Sequence, residues 1–237
     1  MTPFSPLVVW HDVECGRYAA DLALWRELAA REPGPVLDVG AGTGRVSLGL
    51  ARAGHDVTAL DVEPELLDAL RDRAGALPVT AVAADARDFA LDRRFGLIIV
   101  PMQTIQLLDA RDGFLAAAHR HLRPGGLLAI AITAAMEDFG ELEELPEPDR
   151  GAVADWRFAS QPTAVRALPA ATRIERIRRT FAPDGAVLEE DDVIELAHLT
   201  VDALEAEGRA AGLEPEPARS IPATEEHVGS EVVLLRA

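Results

Sequence analysis

The first two-thirds of the chain alternates short apolar runs with stretches in which apolar residues recur every three or four positions. The short runs predict β-strands and the longer periodic stretches predict helices between them. Such alternation is typical of a parallel sheet with helices on both faces. The predicted strands are 36–39, 56–61, 79–83, 97–100 and 127–132, and the predicted helices are 46–53, 64–74 and 114–122.

This rhythm stops after the fifth predicted strand. The stretch 137–155 is acidic and contains two prolines, which predicts a solvated loop or an irregular helix. Two β-rich segments, 172–181 and 187–196, flank an Asp-Gly pair and predict a hairpin. We therefore expect residues 137–197 to form a small β-containing lid that helps to bind substrate.

The last part of the chain completes the sheet. An amphipathic helix is predicted over 201–211, with Gly212 as its C-terminal cap. Two strands are predicted after it, 214–219 and 231–235. The sequence thus predicts a single α/β domain over residues 1–237, with a seven-stranded sheet and the lid inserted into it.

Charge and composition exclude several classes of function. The formal net charge is −17, which disfavours nucleic acid and anionic membrane surfaces as partners. There is no lysine, so mechanisms that need a lysine amine are excluded. Cys15 is the single cysteine, so no internal disulfide can form. The N-terminus does not have the pattern of a signal peptide, so we expect a cytoplasmic protein, as monomer or homodimer.

The strongest chemical motif follows the first strand. Asp38 lies in that strand, and Gly40, Gly42 and Gly44 alternate in the turn after it. Glycines there allow positive φ and let a ligand approach the backbone at the carboxyl end of a parallel strand. A tight structural turn is the alternative. Arg45 occupies the third glycine position of the dinucleotide fingerprint, which argues against a pyrophosphate held there.

Two further acids follow later strands. Asp61 ends the second strand, where a carboxylate can accept both ribose hydroxyls of a nucleoside, or can simply cap the next helix. Asp85, followed by Ala86, comes after the third strand. Its carboxylate can accept the exocyclic amine of adenine, or it can be an exposed loop acid.

The order of these motifs resembles that of class I S-adenosylmethionine-dependent methyltransferases acting on small molecules, over about residues 16–132. The turn at 122–127, with Pro124, also matches that family. The resemblance implies a Rossmann-like sheet with its last strand antiparallel, and S-adenosyl-L-methionine as cofactor with S-adenosyl-L-homocysteine as product. It also implies that Tyr18, in a helix before the first strand, closes over the methionine end, unless that tyrosine only packs.

The tip of the fourth strand departs from two branches of the family. It has neither the Asn-Pro-Pro-aromatic signature of nucleic-acid amino-methyltransferases nor the acid that holds magnesium in catechol-type enzymes. We expect no metal. Pro101 and Met102 are predicted to line the methyl-donor slot, with Gln103 and Gln106 as neutral hydrogen-bonding groups or as surface helix caps.

Candidate acceptor residues come from outside the cofactor motifs. The predicted acceptor pocket combines aromatic and polar groups, as ligand sites do, and its residues are Trp10, Met102, Gln103, Trp156 and Phe158. His11 is the first candidate for a general base and His198 the second, although either can be purely structural.

The remaining charged and imidazole groups are predicted to be structural. His119 and His121 lie two apart on a helix, so they point to different faces and are expected at the surface. The arginines of 166–179 are expected to form a solvated strand face that pairs with 189–192.

The predicted reaction is methyl transfer to O, N or C of a small organic metabolite. A methyltransferase-like fold that binds the cofactor without transferring its methyl is the alternative. An NAD-type oxidoreductase is the less favoured one, because of Arg45 and because no Tyr-x-x-x-Lys pair is present.

Overall fold

The computed structural model describes residues 4–133, 145–224 and 227–237. The chain divides into two compact units. The first comprises Met1–Arg17 and Ala135–His198, and the second comprises Tyr18–Ala134 and Leu199–Ala237, so far as these segments are described.

Helices and strands alternate through the second unit, whereas the first unit contains one described helix and four described strands. The described helices are α1 (Pro6–Cys15), α2 (Leu22–Arg31), α3 (Ser47–Arg52), α4 (Pro64–Ala74), α5 (Arg111–His121) and α6 (Val201–Ala210). The described strands are β1 (Val36–Val39), β2 (Val57–Asp61), β3 (Val79–Ala83), β4 (Phe95–Val100), β5 (Leu122–Thr133), β6 (Asp149–Val153), β7 (Trp156–Ala167), β8 (Ala171–Phe181), β9 (Val187–Ala197), β10 (Glu214–Ile221) and β11 (Ser230–Arg236). Short 3₁₀ turns span Ala86–Asp88 and Thr104–Leu107. None of the described helices is long and apolar enough to span a bilayer.

The second unit is built on a seven-stranded sheet in the order β10-β11-β5-β4-β1-β2-β3. The five strands from β3 to β5 run parallel, and β11 is antiparallel to both β5 and β10. The predicted α/β fold with an antiparallel last strand is therefore confirmed. Chain order reverses between β1 and β4, which is where open sheets of this type bind ligands.

Two apolar layers cover this sheet, one on each face. Every residue of β1, β2 and β4 is buried, as expected for central strands with helices on both sides. One layer places Phe114 of α5 and Leu204 of α6 against the sheet. The other places Trp25 of α2 and Leu50 of α3 against the opposite face. The helical periodicity read from the sequence thus corresponds to these two buried faces.

The first unit contains a four-stranded antiparallel sheet in the order β6-β7-β8-β9. The predicted hairpin is confirmed as β8 and β9, paired from Ala171↔Ala197 to Phe181↔Val187. The prediction of a loop or irregular helix over 137–155 is wrong for 149–153, which form β6 and pair with β7. Residues 145–148 and 154–155 are loop and turn, as expected. Residues 137–144 lie outside the described part of the chain. The lid role of this unit stays a prediction.

Two details of the second unit also differ from the predictions. β5 begins at Leu122 rather than at residue 127, because Leu122 already pairs with Phe95 of β4. His121 is buried rather than at the surface. Its Nε2 accepts the Leu91 N–H at 2.9 Å, and its Nδ1 lies 2.7 Å from the Ala117 carbonyl oxygen.

A buried ion network fastens α1 to the four-stranded sheet. Glu14 of α1 accepts hydrogen bonds from Arg178 at 2.7 Å and Ser160 at 2.8 Å, and it pairs with Arg176 at 2.9 Å. Burial alone would raise the pKa of the Glu14 carboxyl, but the two guanidinium groups outweigh it and the pKa is lowered.

The arginine prediction is only partly right. Arg179 of β8 pairs with Glu189 of β9 on the solvated face, as expected. Arg173 of β8 pairs with Glu195, which also lies in β9. Arg176 and Arg178 pair with Asp192, as expected, and they also reach Glu14. They lie on the opposite side of the strand from Arg173 and Arg179, because alternate residues of a strand face opposite sides.

Glu14→Gln is expected to destabilise the first unit by on the order of 3 kcal/mol, because it removes the more deeply buried of the two carboxylates that pair with Arg176 and Arg178. The matched control is Glu189→Gln, which removes an exposed partner of Arg179 and should cost less than about 1 kcal/mol. Urea unfolding of both variants measures the difference. Equal effects would contradict the assignment of Glu14 as the anchor.

Candidate active site

The turn after β1 is shaped by close backbone approaches. Gly40 and Gly44 have φ of +71° and +96°, in the left-handed region that favours glycine. A Cβ on Gly40 would lie 2.5 Å from Thr104 Cγ2, and one on Gly44 would lie 2.9 Å from Leu48 Cγ. Gly40 thus lets the turns after β1 and β4 pack side by side where the strand order reverses.

Asp61 fastens this turn to the end of β2. Its Oδ2 accepts the Gly42 N–H at 2.7 Å and its Oδ1 accepts the Glu63 N–H at 3.0 Å. The Leu60 carbonyl accepts the N–H groups of Gly40 and Ala41. The predicted ribose acid therefore also acts as a local cap, and its carboxylate is fixed by the backbone beside the glycine turn.

Asp38 is the most deeply buried acid of the site, with 1% of its surface exposed. Ser47 donates a hydrogen bond to its Oδ2 at 2.6 Å. Among the described residues, no group hydrogen-bonds to Oδ1. Burial raises the pKa of Asp38 to about 6, although Ser47 and Arg45 favour the ionised form. A buried carboxylate oxygen without a partner is costly unless a ligand supplies a donor.

Asp85 lies after β3 and is the N-terminal cap of the 3₁₀ turn that starts at Ala86. Its carboxylate accepts a hydrogen bond from the Arg87 backbone N–H at 2.8 Å. It accepts another from Nη2 of the Arg87 guanidinium at 2.6 Å. These hydrogen bonds lower the pKa of Asp85 to about 2. Arg87 also pairs with Asp109, so Asp85 is ionised and held in one orientation.

The turn after β4 contains a strained residue that the sequence did not reveal. Met102 has φ of +56°, which costs energy for any residue but glycine. Thr104 donates to the Pro101 carbonyl at 3.1 Å and tightens the turn. Gln106 is buried and accepts the Thr133 N–H at 2.8 Å, so the prediction of a surface-capping role for it is wrong. Gln103 precedes the 3₁₀ turn and makes no side-chain cap.

Tyr18 lies between α1 and α2 rather than in a helix, which corrects the prediction. Its side chain is buried and hydrogen-bonds to Ser230. Burial, with the Asp21 carboxylate nearby, raises the pKa of its hydroxyl, which therefore stays protonated. The guanidinium of Arg45 lies 5.2 Å from the centre of its ring.

Arg45 is directed away from the glycine turn. Two of its nitrogens donate to Asp21 at 2.6 Å each, and Nη1 also donates to the Tyr18 carbonyl at 2.9 Å. Trp25 completes the group by donating to Asp21 at 2.8 Å. Sequence reasoning missed this pair, because nothing in the spacing of Asp21 and Arg45 indicates a contact.

The predicted acceptor and base residues in the first unit have their own packing. Trp10 and Phe158 are buried and meet edge to face at 5.5 Å, and Phe4 stacks edge to face on both Phe158 and Trp156. His198 Nε2 lies 3.2 Å from Thr172 Oγ1.

His11 lies in α1, and its side chain or backbone takes part in a non-covalent interaction within the protein. The substrate and base roles of His11, His198, Trp10, Trp156 and Phe158 stay predictions.

Comparisons with known proteins agree with this geometry. Residues 36–126 match the model of the methyltransferase domain family. An uncharacterized methyltransferase of Mycobacterium bovis is 38% identical over 113 residues, which are 47% of this chain and 45% of the relative. The match thus spans less than half the length of that curated relative.

Residues 36–126 therefore resemble a methyltransferase domain. The fold of the chain matches that of CalS10, an amino pentose methyltransferase of Micromonospora echinaspora solved with bound S-adenosylmethionine. The TM-score is 0.72 at 21% identity, over 100% of this chain and 99% of that one. The glycopeptide N-methyltransferase MtfA, solved with S-adenosyl-L-homocysteine, is 26% identical with a TM-score of 0.63, over 90% and 86% of the two chains.

Asp38→Asn should change how stability depends on pH. Because the folded-state pKa of Asp38 is raised from 3.8 to about 6, the folded protein keeps a proton that the unfolded chain loses. Stability therefore falls as pH rises through this window, and the asparagine variant lacks this loss. From pH 4 to pH 7.5 the wild type should lose about 2 kcal/mol relative to Asp38→Asn in urea unfolding. A constant difference would contradict the raised pKa.

Proposed function

We propose that this methyltransferase transfers a methyl group from S-adenosyl-L-methionine to a nitrogen atom of a small organic molecule and releases S-adenosyl-L-homocysteine. The observation that carries the proposal is the polar cradle at the carboxyl ends of β1 and β2. It combines the glycine turn, the carboxylate of Asp61 and the unpartnered Oδ1 of Asp38.

The residues present fit this cofactor. Asp38 Oδ1 lacks a donor among the described residues, and the cofactor's methionine end carries an ammonium group that can supply one. Asp61 retains lone pairs for the ribose hydroxyls beside its two backbone donors. Asp85 is ionised and can accept the adenine amine. When bound, the cofactor supplies an electrophilic methyl on a sulfonium.

The role of this chain is to position the acceptor nucleophile and the methyl group and to exclude water from them. Met102 and Pro101 bring apolar atoms to the tip of β4, and the strained backbone at Met102 is held by the tight turn after Pro101. Holding a nucleophile in line with the methyl can supply much of the acceleration without a metal or a covalent step.

Nitrogen is the proposed acceptor atom for two reasons. The tip of β4 offers the neutral amide of Gln103 instead of an acid, and MtfA, which resembles this chain over 90% of its length, is named for N-methylation. Oxygen and carbon acceptors are the competing outcomes. The chain's match to its curated relatives is partial, so the activity of the whole protein and its acceptor atom are both part of the proposal.

Oxidoreductase activity with NAD is not favoured by the described residues. Arg45 faces Asp21 rather than the glycine turn, so it does not itself block a pyrophosphate as the sequence argument assumed. The absence of lysine still removes the Tyr-x-x-x-Lys pair.

Asp61→Asn should weaken S-adenosyl-L-homocysteine binding by roughly ten- to a hundred-fold, about 1.5–3 kcal/mol, because a charge-assisted acceptor becomes neutral. Isothermal titration calorimetry measures this for the wild type and for the control Asp68→Asn, an exposed acid of α4 in the same unit. Tighter binding of NAD than of S-adenosyl-L-homocysteine by the wild type would refute the cofactor assignment.

Product mass tests the reaction itself. Incubation with S-adenosyl-L-methionine and separate probes, glucosamine, triglycine and catechol, is expected to add one methylene equivalent to an amine probe. A mass gain on catechol alone would overturn the choice of nitrogen. Cofactor binding with no mass gain on any probe would support a non-transferring scaffold instead.

A further inference from the structure

His227 lies on the same sheet edge as the cofactor cradle. It belongs to the turn between β10 and β11, and β11 begins directly afterwards with Ser230 opposite Thr133. Thr133 ends β5, which runs parallel to β1 and β4. The turn that contains His227 therefore projects at the carboxyl ends of the parallel strands, where the glycine turn also lies.

Side-chain contacts join His227 to Tyr18 and Tyr18 to Arg45, the residue after the glycine turn. Its ring lies 5.0 Å from the ring of Tyr18, centre to centre. Tyr18 is held by Ser230 and lies against Arg45, which follows Gly44 directly in the chain. All these residues belong to the second unit, so the position of His227 at the same sheet edge as the cradle is set within one compact body.

The imidazole is oriented with one nitrogen available. The backbone N–H of His227 donates to Thr224 Oγ1 at 3.0 Å, and its carbonyl accepts the Thr224 N–H at 2.8 Å. Its Nδ1 lies 3.5 Å from the same hydroxyl oxygen. No described residue hydrogen-bonds to Nε2, and the side chain is half-buried.

We propose that His227 accepts the proton that the acceptor amine loses during methyl transfer. The inference rests on the proposed function. The amine nitrogen's lone pair forms the N–C bond, the C–S bond breaks with its electron pair going to sulfur, and the proton on nitrogen moves to Nε2 of His227. Imidazole is the side chain most often used for such a transfer.

The other histidines of this unit are placed differently. His55 precedes β2, at the amino end of the parallel strands. His121 uses both ring nitrogens within the protein. His119 lies against Gly212, beyond the C-terminal end of α6. Within the described part of this unit, His227 is thus the imidazole at the carboxyl edge.

The kinetic test compares His227→Gln with His55→Gln, a matched change at the opposite edge of the sheet. With the amine probe that gains mass, glucosamine or triglycine, His227→Gln should lower kcat at least ten-fold. Its affinity for S-adenosyl-L-homocysteine should stay within two-fold of the wild type, which also shows that the variant is folded. Added imidazole should restore part of the activity of His227→Ala, and His55→Gln should behave as wild type.

A readout independent of turnover follows the imidazole itself. In the complex with S-adenosyl-L-homocysteine, adding the amine probe should shift the ¹⁵N signals of His227, assigned by their loss in His227→Gln, and should leave those of His55 unchanged. Unchanged His227 signals, or kcat within two-fold of the wild type, would overturn the proposal. These results would leave the proposed function intact, whereas failure of the wild type to methylate any probe would overturn both.

Discussion

The hydrogen bond from the Gly42 N–H to the Asp61 carboxylate is the interaction on which the site depends. It joins the turn after β1 to the end of β2 at 2.7 Å, so that two adjacent strands present one continuous polar edge. The bond forms because the turn adopts positive φ, and the glycines at alternate positions permit that conformation. A side chain on Gly40 would also push away Thr104 and with it the turn after β4.

Patterns with a local cause could be predicted from the sequence. Apolar runs buried on both faces, as in β4, are local features, and they predicted the sheet. The glycine turn and its two following acids are also local, and their role as cofactor residues stays a prediction. The strands β6 and β7 were not predicted, because they carry mixed polar and apolar residues without clear alternation. Contacts between residues far apart in the chain were not predicted for a different reason. The contacts of Arg45 with Asp21, and of Gln106 with Thr133, depend on how distant segments pack.

Arginine replaces lysine throughout this chain and shapes both units in the same way. In the second unit Arg45 makes a two-nitrogen contact with the buried Asp21, and in the first unit Arg178 makes one with Glu14. A planar guanidinium can satisfy both oxygens of a carboxylate at once, which an ammonium cannot. Each pair fastens an N-terminal segment to its own unit. In a chain of net charge −17, such pairs also reduce the repulsion among buried acids.

Asp38 and Met102 show how the same edge combines stability and function. A buried carboxylate with a raised pKa and a backbone held at φ of +56° both cost folding free energy, and neither is needed to build the sheet. Both lie at the reversal of strand order between β1 and β4, where ligands bind in folds of this type. In the proposed function, a cationic donor that reaches Oδ1 recovers on binding part of the free energy that the buried carboxylate costs in folding. Ligand affinity and apo-protein stability are then opposed at this one carboxylate.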